Sequence, residues 1–307
     1  MIFDVNVYLD RVQEFDADYV VTHAEELRAV EMRNGFRALA HPYVMAELLF
    51  HLDNKNAVAR DSRIKAIAFL CIHCEAWGES GCLAMTATSL MNICDLLFGS
   101  RPSADEEFVQ MLRRACHRVA QAYVSTGDTS VARDALPPED RGLLARFVSE
   151  SEEWFKVAFR CATSLAAETA PDQATKTRDR KEMGSDAGLE KLARGWVWRA
   201  ARTLGKELSE EDLEVMPKRV VQAAPVMVEI YRDLWYRILD KGFNVDKKRH
   251  ENFLWDMDIA AVMGQTTLLA DAPVLLVTED GTIRRCAEQC CPHSALPFAE
   301  YERRLGI

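Results

Sequence analysis

Apolar runs that read as buried strands lie near the two ends of this chain, and the sequence between them reads almost wholly as helix. The front run is Met1-Ile-Phe-Asp-Val-Asn-Val-Tyr-Leu9, and the back run is Pro273-Val-Leu-Leu-Val-Thr278. An apolar run bounded by turn residues suits a strand covered on both faces, the environment of a central parallel strand. Parallel strands accept long crossover connections, so strands remote in sequence can still be neighbours. The chain is therefore expected to form an α/β unit, a parallel sheet flanked by helices. Residues 1–60 and 245–307 would build it, and residues 61–244 would be a large all-helical insertion.

Within this frame, residues 11–34 are rich in Glu, Arg, Ala and Val and read as helix. Phe36-Arg-Ala-Leu-Ala-His41 reads as a second strand, with Pro42 placed to begin the next helix. In the insertion, Ser103 and Glu106 have capping-box spacing ahead of Phe108, Met111, Leu112, Ala115, Val119 and Tyr123. Trp154, Phe155, Ala158, Phe159 and Ala162 mark another helix, and Leu189, Leu192, Trp196 and Ala200 a third. Pro217 and Pro225 are expected to interrupt the following one. The 169–185 stretch, with Pro171, Gly184 and a charged run, reads as an exposed linker. Asp280-Gly281 marks a turn, and Thr282-Ile-Arg284 the start of an edge strand.

Acidic residues end or interrupt these apolar runs. Asp4 breaks the first, and Glu47 lies in Pro42-Tyr-Val-Met-Ala-Glu-Leu-Leu-Phe50. Asp256 and Asp258 stand in Trp255-Asp-Met-Asp-Ile-Ala-Ala261, and Asp280 closes Thr278-Glu-Asp. Carboxylates gathered at the edges of buried elements repel one another unless a cation offsets them. Hard cations such as Mg²⁺ or Mn²⁺ take oxygen ligands, commonly a few carboxylates with water completing the shell. The carboxyl edge of a parallel sheet is where such ligands meet. On a regular helix Asp256 and Asp258 are about 200° apart, so only one of them faces the ion. Asp256 is favoured because Ile259 and Ala260 share its face, and Asp258 stays a competitor. The same acids would otherwise be helix caps and turn residues.

These segments resemble the PIN-domain family of metal-dependent nucleases. The ordered motifs are Asp4-Val-Asn6 after a strand, Glu47-Leu48 on a helix, Asp256-Met-Asp-Ile-Ala-Ala261, and Thr278-Glu-Asp280 after a strand. The resemblance covers about residues 1–60 and 245–307. The long middle departs from it, as does the wide spacing of Asp256 and Asp280, where residues 265–271 are expected to loop out. It implies phosphodiester hydrolysis, usually of RNA, with Asp4, Glu47, Asp256 and Asp280 as catalytic acids holding Mg²⁺ or Mn²⁺. Asn6 and Thr278 would support the carboxylates through hydrogen bonds. Small members of the family are often toxins paired with antitoxins. Here the helical insertion would gate or shape an RNA substrate, or bind a protein partner or inhibitor. The alternative is a non-catalytic interaction protein using the same scaffold, and a structure-specific DNA nuclease is a third option.

Composition narrows the classes. A net charge of −10 argues against a protein that coats nucleic acid with a uniformly basic face. No apolar run reaches the roughly 20 residues needed to span a bilayer, and no secretory segment opens the chain. Nine cysteines, an odd number, suit buried thiols in a reducing cytoplasm. Cys71-Ile-His-Cys74 has zinc-like spacing but follows a helical apolar run, which favours core thiols. Cys286, Cys290, Cys291 and His293 form a looser group in which a metal knuckle is the lesser option. Lys247-Lys-Arg-His250 could touch phosphates, although solvated charge is the commoner role of such runs. His41 and His117 read as structural. Phosphate-binding Gly-rich loops, dinucleotide fingerprints and the Gly-x-Ser-x-Gly elbow are absent from the sequence.

Overall fold

The computed structural model describes residues 1–12, 15–53, 56–75, 83–169, 173–241, 252–263 and 274–307, less the side chains at 154–155, 157–169, 173–174, 240–241, 252–254 and 256. The chain is mostly helical (76%) with a small three-stranded parallel sheet. Strand β1 (Ile2–Phe3) leads into α1 (Val5–Val12) and α2 (Ala17–Arg33), then α3 (Pro42–Phe50) and α4 (Ala57–His73). The helical middle comprises α5 (Ser89–Phe98), α6 (Ser103–Thr126), α7 (Thr129–Asp134), α8 (Pro138–Thr169), α9 (Gln173–Met183), α10 (Asp186–Thr203), α11 (Glu210–Ala223) and α12 (Pro225–Lys241). After α13 (Asn252–Ala260) come β2 (Leu276–Val277), α14 (Gly281–Cys290), β3 (Ala295–Leu296) and α15 (Phe298–Leu305).

Local chemistry sets most helix starts. Asp16, Asn56, Thr88 and Ser185 each accept a first-turn backbone N–H with a side-chain oxygen, satisfying a donor the helix leaves open. Ser209 and Asp212 form a reciprocal capping box at α11. Pro42 stands at the first helical position of α3, where its missing N–H costs nothing.

The sheet order is β1-β2-β3, all parallel, with Ile2 opposite Leu276 and Val277 opposite Leu296. Two extended segments prolong the ladder beyond β1. The Met1 amino group donates to Arg37 O at 2.8 Å, and Leu39 N donates to Met1 O at 2.8 Å, the pattern of parallel neighbours. Ala40 in turn bridges Met85 in parallel. The parallel segments thus run, side by side, 85, 40, β1, β2, β3. From β1 the chain steps outward to one side, and after the helical middle it returns to fill the other. The order reverses between β1 and β2, which is where an open parallel sheet leaves a crevice.

One continuous core joins both ends of the chain to the helical middle. Phe3 packs against the rings of Tyr8, His73, Phe298 and Tyr301, drawn from α1, α4 and α15. Helix α4 lies against α1, α2, α3 and α6. Ile64 and the run from Ala66 to Leu70 are fully buried, so this stretch of α4 is covered all round. The expected boundary after residue 60 therefore falls inside a central helix.

Several local expectations are corrected. Pro102, not Ser103, is the N-cap of α6, and no side-chain cap bond forms there, so Ser103 and Glu106 make no capping box. Thr282–Arg284 lie in α14, because Asp280 caps that helix at the point where a strand was expected. Most of the presumed linker is α9. Its polar sequence has no apolar stripe, and its end is held by Met183 in the core and by Tyr236, whose hydroxyl donates to Arg180 O at 3.3 Å. Pro217 sits within a continuous α11, and Pro225 opens α12. Residues 265–271 and 247–250 lie outside the described residues. No helix among the described residues is long and apolar enough to cross a membrane.

Candidate metal centre

The carboxyl edge of the sheet gathers the beginnings of α1, α3, α14 and α15, each entered directly from an extended segment. Their open N–H groups give this edge a partial positive charge that favours anions. Asp4 follows β1, and its own backbone carbonyl opens α1 by accepting from Val7 N at 3.1 Å. Its carboxylate is buried, 6% exposed. One oxygen accepts from Val5 N at 2.7 Å, and the other from the Thr278 hydroxyl at 2.9 Å. Thr278 is itself buried and accepts from Asp280 N at 3.0 Å. One short relay therefore ties the first strand to the last acidic motif, across 274 positions of sequence.

Asp280 caps α14 through one oxygen, accepting from Thr282 N at 2.7 Å and Ile283 N at 2.8 Å. Burial pushes the Asp4 carboxyl above its ordinary range, the Thr278 and Val5 donors hold it back, and the Asp280 charge pushes it further up. Glu47 lies in the second turn of α3. Burial, and then the Asp4 charge, push its carboxyl up to about 7, against the pull of Arg63. The Asp4 charge thus acts on Glu47, while two hydrogen-bond donors hold the Asp4 carboxylate itself. Asp4, Glu47 and Asp280 are thus electrostatic neighbours brought from three separate parts of the chain.

The remaining acids stand differently. Asp258 is fully buried, and its neighbours are Arg199, Tyr43 and Asp105 rather than Asp4 or Glu47. Burial raises its carboxyl to about 7, while Arg199 and Tyr43 oppose the rise. The Tyr43 phenol stands beside it without the geometry of a full hydrogen bond, and neither carboxylate oxygen has such a bond. Asp258 thus belongs to a separate buried group under the helical middle. The side chain of Asp256 lies outside the described residues. Asn6 is exposed on the first turn of α1.

Among the described residues no three Asp, Glu, His or Cys side chains converge closely enough to hold one ion. Fewer protein ligands suffice for a water-rich hard cation, since Mg²⁺ is usually held by one or two carboxylates with waters and substrate phosphate oxygens. Asp4 and Glu47 fit that demand: both are carboxylates, and burial and then the Asp4 charge push the Glu47 carboxyl up to about 7 despite the pull of Arg63. Asp280 keeps one oxygen outside its cap.

Sequence reading missed Arg63. It projects from α4 toward Glu47, its Nη1 donates to Ala59 O at 2.9 Å, and its buried Nε makes no hydrogen bond. No motif marks it, because its place depends on how α4 packs on α3. Elsewhere His41 is buried and caps α3, accepting from Tyr43 N at 3.3 Å. Burial drops its imidazole to about 3, which keeps it neutral. Cys74 is buried beside Tyr8, and Cys290 donates to Cys286 O at 3.1 Å within α14. No family model, curated protein or solved structure matches the chain.

Proposed function

We propose that the protein is a metal-dependent nuclease with a PIN-like catalytic unit, acting as an endoribonuclease. The observation that carries this reading is the Thr278–Asp4 hydrogen bond at the point where the strand order reverses, with Glu47 and Asp280 as electrostatic neighbours of Asp4. The parallel succession 85, 40, β1, β2, β3 supports it too, since it puts the acidic motifs from both ends of the chain on one edge.

In this reading Asp4 and Glu47 hold Mg²⁺ or Mn²⁺, with Asp280 assisting. When bound, such an ion activates a water and offsets the charge that develops on the transferring phosphoryl group. Thr278 fixes the Asp4 carboxylate so that its free lone pairs keep one direction, as supporting hydrogen bonds do around metal ligands. The helix N-termini at this edge favour the phosphate. Arg63 balances Glu47 and stands ready to pair with a phosphate oxygen. The described cysteines are free thiols, which suits the reducing cytoplasm expected for it.

The deciding experiment incubates labelled single-stranded RNA with purified protein, with and without Mn²⁺. The proposal expects Mn²⁺-dependent cleavage that is lost in both Asp4→Asn and Glu47→Gln, each shown by circular dichroism to be folded. Cleavage that survives in both folded variants, or no cleavage by the parent protein, refutes it.

A further inference from the structure

Beside the acidic edge, α1, the start of α2 and the start of α15 enclose a cleft of about 380 Å³, within the size range of small-molecule sites. Glu279, the residue between Thr278 and Asp280, forms part of its wall. That side chain is anchored there by accepting from Phe298 N at 2.9 Å. The cleft therefore opens next to the candidate metal centre.

Its other wall is a ladder of rings. Phe15 and Tyr19 stack with centroids 3.8 Å apart and planes 21° from parallel, and His23 continues the ladder 5.5 Å from Tyr19. Tyr19 is 43% exposed, so this stack is not core packing alone. Arg11 lies 3.5 Å over the Phe298 ring and pairs with Glu302 at 2.7 Å, which engages the cleft's arginine within the wall. Asp10 lines the same cleft, is exposed, and makes no hydrogen bond or ion pair among the described residues.

This chemistry selects the occupant. Carboxylates on the walls disfavour a phosphate, while the exposed part of the Tyr19 ring, at the edge of the ladder, favours a flat ring. Unpaired bases of RNA stack on aromatic side chains and are read along their Watson–Crick edges. An ionised carboxylate offers acceptors only, and guanine presents two adjacent N–H donors on that edge, matching both oxygens at once. We propose that the cleft is a guanine subsite for single-stranded RNA, with the base stacked on Tyr19 and its edge donating to Asp10. The identity of the ligand rests on the ribonuclease reading above.

The test measures fluorescence anisotropy without divalent metal, so that binding is read apart from cleavage. The probes are uridine-rich single-stranded RNA oligomers carrying one guanosine, inosine or adenosine. The guanosine oligomer is expected to bind best. Tyr19→Ala should weaken binding about 5- to 150-fold, the range for loss of one base–aromatic stack. Asp10→Asn should abolish the preference for guanosine and leave adenosine affinity unchanged. Both residues are exposed, so the variants should fold, and circular dichroism checks that they do. Equal affinity for the three oligomers, or an unaltered Tyr19→Ala, overturns the subsite. If Mn²⁺-dependent cleavage persists alongside that result, the nuclease reading stands and only the subsite falls. Guanosine-selective, Tyr19-dependent binding without any cleavage supports the subsite and sinks the catalytic reading.

Discussion

Replacing Glu47 by Gln removes a charge that the folded protein holds at a cost. Its carboxyl titrates at about 7 when folded, against 4.5 for the free side chain. At 1.36 kcal/mol per pH unit the difference corresponds to roughly 3 kcal/mol. Glu47 is partly exposed, so solvent screening lowers the expected figure to about 1–3 kcal/mol. The sign follows from the raised folded value. The protonated form is the one the fold tolerates, so the contribution is complete below pH 4.5 and is lost as the pH rises through about 7. Gln keeps the shape and never ionises. In EDTA, Glu47→Gln should therefore exceed the parent protein only slightly at pH 5 and by about 1–3 kcal/mol at pH 8. Asp258 also titrates near 7, but it is present in both proteins and cancels. With Mn²⁺ at a hundred times its dissociation constant, the parent should gain about 2.7 kcal/mol, and the variant much less. Urea denaturation followed by tryptophan fluorescence at pH 5, 6, 7 and 8 reads all of this. A stability gap that does not change with pH, or a variant less stable than the parent at pH 8, refutes the reasoning.

Two further outcomes follow from the same geometry. Thr278→Val removes the only side-chain donor to Asp4 among the described residues and keeps the shape, so it should cost about 1–3 kcal/mol in urea denaturation and lower Mn²⁺-dependent cleavage, whereas Thr278→Ser should retain both. Away from the metal centre, His73 is buried and sits 2.7 Å from the Glu31 carboxylate, which also accepts from Tyr301 at 2.9 Å. Burial opposes its charge, but Glu31 and Cys74 outweigh that and push the imidazole up to about 10. Its stabilisation is full below pH 6.5 and declines as the pH rises through about 10. His73→Gln should cost about 3–5 kcal/mol at pH 7 and flatten the fall in stability on the alkaline side, a pattern that thermal denaturation from pH 6 to 10 would reveal or rule out.

How much of this was legible in the sequence depended on range. Strands β1 and β2 were visible because their apolar residues are contiguous and an acidic motif follows closely, as at Ile2-Phe3-Asp4 and Leu276-Val277-Thr278-Glu279-Asp280. β3 was not, because Ala295–Leu296 is too short to leave an apolar run. The helix at Gly281 was hidden because Asp280-Gly281 reads equally well as a turn, and only the cap bonds from Thr282 and Ile283 decide it. Ser103 and Glu106 had capping-box spacing, but the helix starts one residue earlier than a Ser103 cap requires, which puts Ser103 inside it and Pro102 at the cap. Asp258 shows the limit for the site. Its segment carries the right motif, yet its side chain stands by Tyr43 and under the charge of Arg199, surroundings set by how α13 packs against α3 and α12 and by where α10 places Arg199. Arg63 was likewise invisible, since its value comes from a neighbouring helix and not from its own spacing.

The claim on which all of this rests is that Asp4 and Glu47 share one divalent cation, with Asp280 from the other end of the chain beside them. Crystals soaked in Mn²⁺ and measured at the manganese absorption edge test it directly. The account predicts an anomalous peak bounded by Asp4 and Glu47, with Asp280 adjacent, and its disappearance in Asp4→Asn. An absent peak, or one found only at the Cys286–His293 group or beside Asp258, would contradict it.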